Sequence, residues 1–127
     1  LMDGDLSPRS RAIADALLGA AGLPDIGHFF PPGDESIRGI SSLQILRRIR
    51  GELDRLGAVL HNVDASLVAE KPKILPHVPL MKERVAEALG VKPSQIGIKA
   101  TTNEKLGFPG RQEGMCALAT ALIDSAV

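Results

Sequence analysis

The sequence has 127 residues, of which 44% are hydrophobic and 24% are charged, and its fifteen Lys and Arg residues balance fifteen Asp and Glu residues. This composition is typical of one globular domain, and a net charge of zero with Phe as its only aromatic residue type provides neither the cationic surface nor the stacking platform that nucleic-acid binding needs. A single Cys excludes an intrachain disulfide, and no apolar run reaches the ~20 residues of a membrane span, so we expect an intracellular, soluble domain with no nucleic-acid or membrane partner.

The first predicted helix begins at Ser7-Pro8, where the serine can cap the helix and the proline suits its first position. Gly22 can end it in the left-handed conformation. Its predicted core face consists of Ile13, Ala16, Leu17 and Ala20. The segment from Leu23 to Gly39 is rich in Pro and Gly and is predicted to be a loop. Because this loop is also long and apolar, we expect it to be functional.

The clearest helix follows, with a possible capping box between Ser41 and Gln44 at its start and Gly57 at its end. Its predicted apolar stripe consists of Leu46, Ile49, Leu53 and Leu56. The arginines on the rest of the helix interleave with acidic residues, which indicates a solvated face rather than a binding patch.

A strand is predicted from Ala58 to Ala69, with Val59, Val63, Ala65 and Leu67 on one face and Asn62, Asp64 and Ser66 on the other. A third helix is predicted from Val78 to Leu89, ending at Gly90, with Val78, Met81, Val85 and Leu89 on its core face. Ile96 and Ile98 mark a second short strand, whereas periodicity leaves the last segment, Met115 to Val127, ambiguous between helix and strand. This order predicts one sheet with helices packed against it. Two or three strands are few for such helices, so further strands upstream or in other subunits are expected.

Three segments could carry chemistry. Asp25 to Pro31 places a carboxylate and free backbone groups beside apolar side chains, although Asp25 could equally be a turn former and His28 a surface residue. Ala69 to Leu75 lies at a strand end, where a proline leaves backbone groups unpaired that could read a base edge. The alternative there is a simple connection with two solvated lysines.

The third segment, Lys99 to Arg111, contains hydroxyls, a carboxylate, glycines and an arginine that suit a phosphate and metal site. It could also be a mere connection. Cys116 is predicted to be an inert core residue, since no basic residue lies beside it in sequence. The histidines, His28, His61 and His77, are too scattered to indicate a metal site.

Together these segments resemble the 2-C-methyl-D-erythritol 2,4-cyclodiphosphate synthase family of the non-mevalonate isoprenoid pathway. The resemblance runs from Ala12 to Ile123. Its most specific stretch, Lys99 to Gly114, reads KATTNEKLGFPGRQEG and is similar to the family's KATTTEKLGFTGRGEG. Asp15 to Gly27 and Asn62-Val-Asp64 match the family equally well.

The resemblance implies a phosphorus-oxygen lyase acting on 4-diphosphocytidyl-2-C-methyl-D-erythritol 2-phosphate. The 2-phosphate attacks the β-phosphate, which closes a ring and expels CMP, so the nucleophile belongs to the substrate. Catalysis then consists of positioning and charge neutralisation. The implied fold is α+β, a two-layer α/β arrangement of a mixed β-sheet with helices packed on one face, and the final segment is a strand. The implied assembly is a homotrimer with its sites at the subunit interfaces.

The resemblance also implies a role for each part of the site. Asp25, Ile26 and Gly27 would hold the ribose and methylerythritol side of the substrate, under a flap formed by Phe30, Pro31, Pro32, Gly33 and Asp34. The cytosine pocket would consist of Ala69, Glu70, Lys71, Pro72, Lys73, Ile74 and Leu75 together with Ala100, Thr101 and Thr102. Thr102, Glu104 and Arg111 would be catalytic, with Glu104 binding Mg²⁺ or Mn²⁺ and Asn103, Phe108 and Arg111 beside the phosphates.

The match to the family breaks at the N-terminus. The family's Asp-x-His zinc ligands are absent from the sequence, Leu1-Met2 stands where the family has His-Ser, and Arg11 occupies the position of the third zinc ligand. Arginine cannot ligate zinc. We therefore expect a single domain over residues 1–127 that lacks the family's first strand, in the cytoplasm of a bacterium or in a plastid if a transit peptide was removed. The alternative is a catalytically silent or truncated form that binds cytidine nucleotide or isoprenoid without turnover.

Overall fold

The computed structural model describes residues 2–31, 41–68, 75–101 and 116–124, which contain both helices and strands. The elements of these residues are α1 (Met2–Ala20), α2 (Ile26–Phe29), α3 (Ser42–Arg55), β1 (Val59–Val68), α4 (Val78–Leu89), β2 (Ile96–Thr101) and β3 (Cys116–Asp124). Short 3-10 turns, Leu75–His77 and Pro93–Gln95, lead into α4 and β2. None of the helices among these residues is long and apolar enough to cross a membrane.

The sheet of the described residues is mixed, with strand order β2-β1-β3. β1 runs parallel to β2 and antiparallel to β3. The final segment, which periodicity left ambiguous, is therefore a strand, as the family resemblance implies. Its Ala-rich sequence becomes a strand because β1 offers it a partner edge along nearly its whole length.

β1 alternates as predicted in its second half, where Val63, Ala65 and Leu67 are buried. The prediction that Val59 shares their face is wrong, because Val59 is 57% exposed and Leu60 only 5%. The register with β3 shifts between Leu60 and Asn62. Such a bulge inserts one residue and exchanges the two faces on either side of it.

The helices cover one face of the sheet and build a single core with it. α1 packs on β3 and α3, while α4 packs on α3 and β2. The largest fully buried side chains come from all three long helices and from β1 and β2: Ile13, Leu17, Leu18, Leu46, Ile49, Leu53, Leu67, Met81, Leu89 and Ile96. Each such burial contributes roughly 1.5–3 kcal/mol of transfer free energy. The structure thus confirms an α+β arrangement of a mixed sheet with helices.

α1 differs from its prediction at its start and on its core face. It begins at Met2 rather than at Ser7-Pro8. Ala20, predicted to lie in the core, is exposed. The buried positions of the described part of the helix are Ser10, Ile13, Ala14, Leu17 and Leu18, a stripe of adjacent pairs one turn apart.

α3 has the predicted capping box, in which the Ser41 hydroxyl accepts from Gln44 N and Gln44 Oε1 accepts from Ser41 N. Leu56, predicted to lie in the apolar stripe, is instead the half-exposed C-cap residue, because the helix ends at Arg55. Gly57 follows with a positive φ of 72°.

The arginine face of α3 is solvated as predicted, since Arg47, Arg48 and Arg55 are exposed. Arg50 is the exception, because it is half-buried and its guanidinium donates to the carbonyl of Leu89 at the end of α4. That contact joins the two helices at a point where α4 has carbonyls without helical partners.

Candidate functional site

Three chain points meet at one end of the sheet. Val68, the last residue of β1, pairs with Thr101 at the end of β2 and with Cys116 at the start of β3. The segments 69–74 and 102–115 therefore both leave this end, which we call the Val68 end of the sheet. The carboxyl ends of neighbouring parallel strands are where ligands bind in many sheet proteins, because backbone groups there lose their ladder partners.

The predicted cytosine pocket is divided by the limits of the described residues. Ala100 lies opposite Leu67 in the ladder, Thr101 is exposed beside Val68, and Leu75 begins the turn that leads to α4. The two predicted halves of the pocket thus start from neighbouring strands. Ala69, Glu70, Lys71, Pro72, Lys73 and Ile74 lie outside the described residues, as do Thr102, Asn103, Glu104, Phe108 and Arg111. Their roles stay predictions.

An ion pair that the sequence did not reveal connects two of the matching motifs. Lys99 Nζ lies 2.6 Å from Asp64 Oδ2 and 2.8 Å from Asp64 Oδ1. Its ammonium is thereby held on β1 rather than free for a phosphate. Because both side chains are about half exposed, the pair adds little free energy of folding and instead fixes where the two side chains lie.

The second part of the candidate site is the segment Asp25 to Pro31, which was predicted to be a loop. Its centre is the one-turn helix α2, with Asp25 as N-cap. Ile26 N donates to Asp15 Oδ1 of α1 at 2.9 Å. The Asp25 side chain makes no capping bond; its Oδ1 atom lies 3.5 Å from the point where Gly27 would carry a Cβ.

The far end of this segment contacts α3. Arg48 Cζ lies 5.8 Å from the centre of the Phe30 ring, within the range of a cation–π contact. Phe29 packs edge-on against His28 at 5.1 Å between ring centres. Phe30 and Pro31 are the described start of the predicted flap, whereas Pro32, Gly33 and Asp34 lie outside the described residues. The segment is thus held by α1 and α3, and the Val68 end by the three strands.

The residues that the structure describes do not fit a zinc site. They contain no group of three His, Cys, Asp or Glu side chains that could hold a metal ion. Arg11, at the position of a family zinc ligand, is an exposed residue of α1 and offers no lone pair. The three histidines are exposed, as the surface alternative predicted, and His61 Nε2 lies 2.8 Å from Asp124 Oδ2. Cys116 begins β3, but its side chain lies outside what is described.

These features define an α+β domain in which three strand ends meet at one end of a mixed sheet and the first helix holds a short helical turn that has Asp25 as its N-cap. The model of the YgbB family matches residues 2–124, and the chain belongs to this family.

Curated relatives that match nearly the whole chain have the same name. The 2-C-methyl-D-erythritol 2,4-cyclodiphosphate synthase of Dehalococcoides mccartyi (strain CBDB1) is 50% identical over 120 residues, which cover 94% of this chain and 76% of that protein. The protein of the same name from Akkermansia muciniphila is 52% identical over 124 residues, covering 96% and 73%. The one from Symbiobacterium thermophilum is 55% identical over 112 residues, covering 88% and 71%.

Solved structures share the fold. The bifunctional IspDF from Campylobacter jejuni superimposes with a TM-score of 0.88 at 35% identity, over 93% of this chain, and the chain spans only 32% of that longer protein. IspF from Plasmodium falciparum, in complex with CDP, has a TM-score of 0.80 at 30% identity, over 93% of this chain and 70% of that one. The sequence-based recognition of the family is therefore confirmed.

Proposed function

We propose that the chain is a cyclodiphosphate synthase, which converts 4-diphosphocytidyl-2-C-methyl-D-erythritol 2-phosphate to 2-C-methyl-D-erythritol 2,4-cyclodiphosphate and CMP. The observation that carries the proposal is the 50% identity, over 94% of the chain, to a protein named for this product. The reaction suits the residues, since the 2-phosphate of the substrate is the nucleophile and no activated Ser or Cys is needed.

The cytosine end of the substrate is assigned to the Val68 end of the sheet. Val68 and Thr101 are paired at the ends of two parallel strands. Because Ala69 to Leu75 follows Val68 in sequence and Ala100 to Thr102 includes Thr101, we assign the base edge to backbone N–H and C=O groups of both segments. Recognition of a base edge by the main chain needs no aromatic platform, in agreement with a sequence that has Phe as its only aromatic residue type.

The sugar end is assigned to Asp25 and Gly27. The Asp25 carboxylate is an acceptor for hydroxyl groups, and it has no capping bond of its own to α2. Gly27 leaves space beside that carboxylate. The two residues therefore form a polar corner that a diol of the ribose or of the methylerythritol can enter, with Phe30 to Asp34 as the flap above it.

The diphosphate is assigned to the segment from Thr102 to Arg111. Thr102 donates a hydrogen bond to phosphate oxygens, and Arg111 with its two-pronged guanidinium neutralises the charge that develops on them. Glu104 is the carboxylate that would hold Mg²⁺ or Mn²⁺, and Asn103 and Phe108 are assigned to the same side of the substrate. When bound, such an ion supplies positive charge next to the phosphates.

The zinc of the family enters no step here, because Arg11 and the other described residues do not fit it. A catalytically silent form that binds cytidine nucleotide would keep the Val68 end and lose turnover. The named curated relatives are bacterial, which supports a location in a bacterial cytoplasm; a plastid location finds no support.

A homotrimer is proposed as the working assembly. The sheet face opposite the helices carries Leu118 and Leu122, which are 66% and 60% exposed, and Val59 lies exposed beside them in the sheet. Leucines on an uncovered sheet face favour burial against another subunit. Sites at the subunit interfaces would allow the Asp25 corner of one subunit to meet the Val68 end of the next.

The test is turnover by the purified protein with Mg²⁺, measured as CMP release by chromatography and as cyclic product by ³¹P NMR. Glu104→Gln removes one charge from the phosphate site and should lower kcat at least about 100-fold. Glu87→Gln on the exposed side of α4 makes the same change elsewhere and should leave kcat within about twofold.

Wild-type protein that releases no CMP would contradict the proposed activity. If it still binds CDP in a calorimeter, the silent form is the correct description; if it binds no CDP either, the nucleotide site itself is wrong.

A further inference from the structure

The amide at the start of α2 has a partner from another helix. Ile26 N donates to Asp15 Oδ1 at 2.9 Å across eleven positions of sequence. The N-cap side chain of a helix ordinarily accepts from the second or third amide of that helix, and the Asp25 side chain makes no such bond. The carboxylate of Asp15 therefore caps α2 from outside and leaves the carboxylate of Asp25 available.

α2 depends on such external contacts because a helix of four residues cannot hold itself in water. Within the segment, His28 N donates to Asp25 O and Phe30 N donates to Ile26 O. Both bonds join residues of the same segment, so they do not fix the orientation of α2 relative to the rest of the molecule. Orientation comes from the Asp15 bond at Ile26, the Arg48 contact at Phe30 and the packing of the apolar side chains of the segment against the core.

Asp15 belongs to a part of α1 that is anchored in the core. Its neighbour Ala14 and the nearby Leu17 and Leu18 are fully buried. Leu23 N donates to Leu18 O at 2.8 Å, so the chain between α1 and α2 is also tied to the helix. A charge-assisted bond from a rigid helix is a strong and directional restraint on a short turn.

We propose that Asp15 is a positioning residue for the sugar end of the substrate. It does not touch the substrate; it fixes Ile26, and so sets the direction of the Asp25 carboxylate and of the Gly27 backbone on either side. This inference rests on the proposed function. Since a preorganised site binds in proportion to the population of its competent geometry, loosening α2 weakens binding without removing any group from the site.

The experiment compares Asp15→Ala, Asp15→Asn and the control Glu87→Ala in the full chain. Asparagine keeps a side-chain oxygen that can accept from Ile26 N, whereas alanine does not. Glu87→Ala removes the same charge from an exposed helical position. Calorimetry measures the Kd for CDP in Mg²⁺, NMR measures the exchange rate of the Ile26 amide, and thermal unfolding gives Tm.

We expect Asp15→Ala to raise the Kd for CDP about three- to tenfold and to speed exchange of the Ile26 amide at least about tenfold. Asp15→Asn should restore both to within about twofold of wild type, and Glu87→Ala should change neither. A structural role alone would instead lower Tm and leave the Kd of the folded protein unchanged.

Two results would overturn the inference. If Asp15→Ala binds CDP as wild type does, Asp15 does not position the site, while the proposed function stands. If the Ile26 amide is equally protected in Asp15→Ala, the restraint itself is absent. A wild-type protein that binds no CDP is a failure of the proposed function, and the positioning role for this ligand fails with it.

Discussion

Gly27 lies beside a carboxylate at a position where an added methyl group meets only an ordinary contact. A Cβ there would approach Asp25 Oδ1 at 3.5 Å. Among the residues that the structure describes, nothing therefore requires glycine here for steric reasons, and glycine weakens the short helix that contains it. A ligand that occupies the space beside the Asp25 carboxylate would be a physical reason for glycine at this position.

We therefore predict that Gly27→Ala separates binding from stability. Tm should stay the same or rise slightly, because alanine is favoured over glycine in a helix by up to about 1 kcal/mol. The Kd for CDP, measured by calorimetry, should rise about tenfold as the methyl group fills the corner beside Asp25.

The matched control is Gly19→Ala in α1, where an added Cβ finds nothing within 4 Å. It makes the same chemical change in a helix and should leave the Kd unchanged. CDP affinity in Gly27→Ala equal to that of the control would remove Gly27 from the sugar site.

At the scale of elements, the end of α4 depends on a residue of α3. Gly90 caps α4 with a φ of 68°, and Gly22 has a nearly identical φ of 71° after α1. Their surroundings differ, since a Cβ at Gly90 would lie 2.8 Å from Arg50 Nη1, whereas a Cβ at Gly22 would meet nothing within 4 Å. Arg50 is held there by the carbonyl of Leu89 and by Asp54 Oδ1 at 2.8 Å.

Gly90→Ala should accordingly destabilise the protein more than Gly22→Ala. Both variants place a side chain in the left-handed region, at roughly 1–2 kcal/mol each. Only Gly90→Ala also displaces the guanidinium of Arg50, which adds about 1 kcal/mol for the lost hydrogen bond. Urea unfolding measures the two free energies.

Arg50→Ala supplies the control for that comparison. In its background the excess cost of Gly90→Ala should disappear, as in a double-mutant cycle. Equal costs of the two glycine substitutions in the wild-type background would show that the Arg50 contact contributes nothing to the end of α4.

At the scale of the whole molecule, the sheet has one face inside the core and one face over which no helix of the described residues packs. Leu118 lies opposite Ser66 and Leu122 opposite Asn62, so the two leucines project from the same side as the polar residues of β1. Asp64 and its partner Lys99 belong to that side as well. This face combines apolar side chains with one satisfied ion pair, which suits an interface between subunits better than permanent exposure.

Leu118→Lys should therefore prevent trimer formation, because it would bury unpaired charges at the proposed interface. Sedimentation velocity should give a trimer for wild type and a monomer for the variant, with loss of CMP release. Leu80→Lys, on α4 and 40% exposed, is the control that should remain a trimer. A monomeric wild type, or a trimeric Leu118→Lys, would contradict the proposed assembly.

The family could be recognised from the sequence because its motifs are local, whereas the roles of the site residues stay predictions. The stretch after Lys99 and the Asp25 segment stand as continuous sequence, and recognising the family from them was correct. The Asp15 bond to Ile26 and the Lys99 bond to Asp64 span 11 and 35 positions, and no local pattern indicates them. Asp15, Asp64 and Lys99 are residue types that are common on any protein surface, so only the residues that the fold brings next to them show that they form these bonds.

The sequence by itself determined where α3 begins and where the long helices end, because capping and glycine preferences act within one helical turn. The capping box of Ser41 with Gln44 and the glycines after the three helices, Gly22, Gly57 and Gly90, behave as predicted. Periodicity alone left the last Ala-rich segment undecided; its pairing with β1 shows the strand that the family resemblance implied. Only the tertiary structure decided that Leu60 rather than Val59 faces the core. Whether a segment forms a strand, and which of its side chains face the core, depend on pairing with a strand that is distant in sequence, whereas the end of a helix depends on residues within one turn.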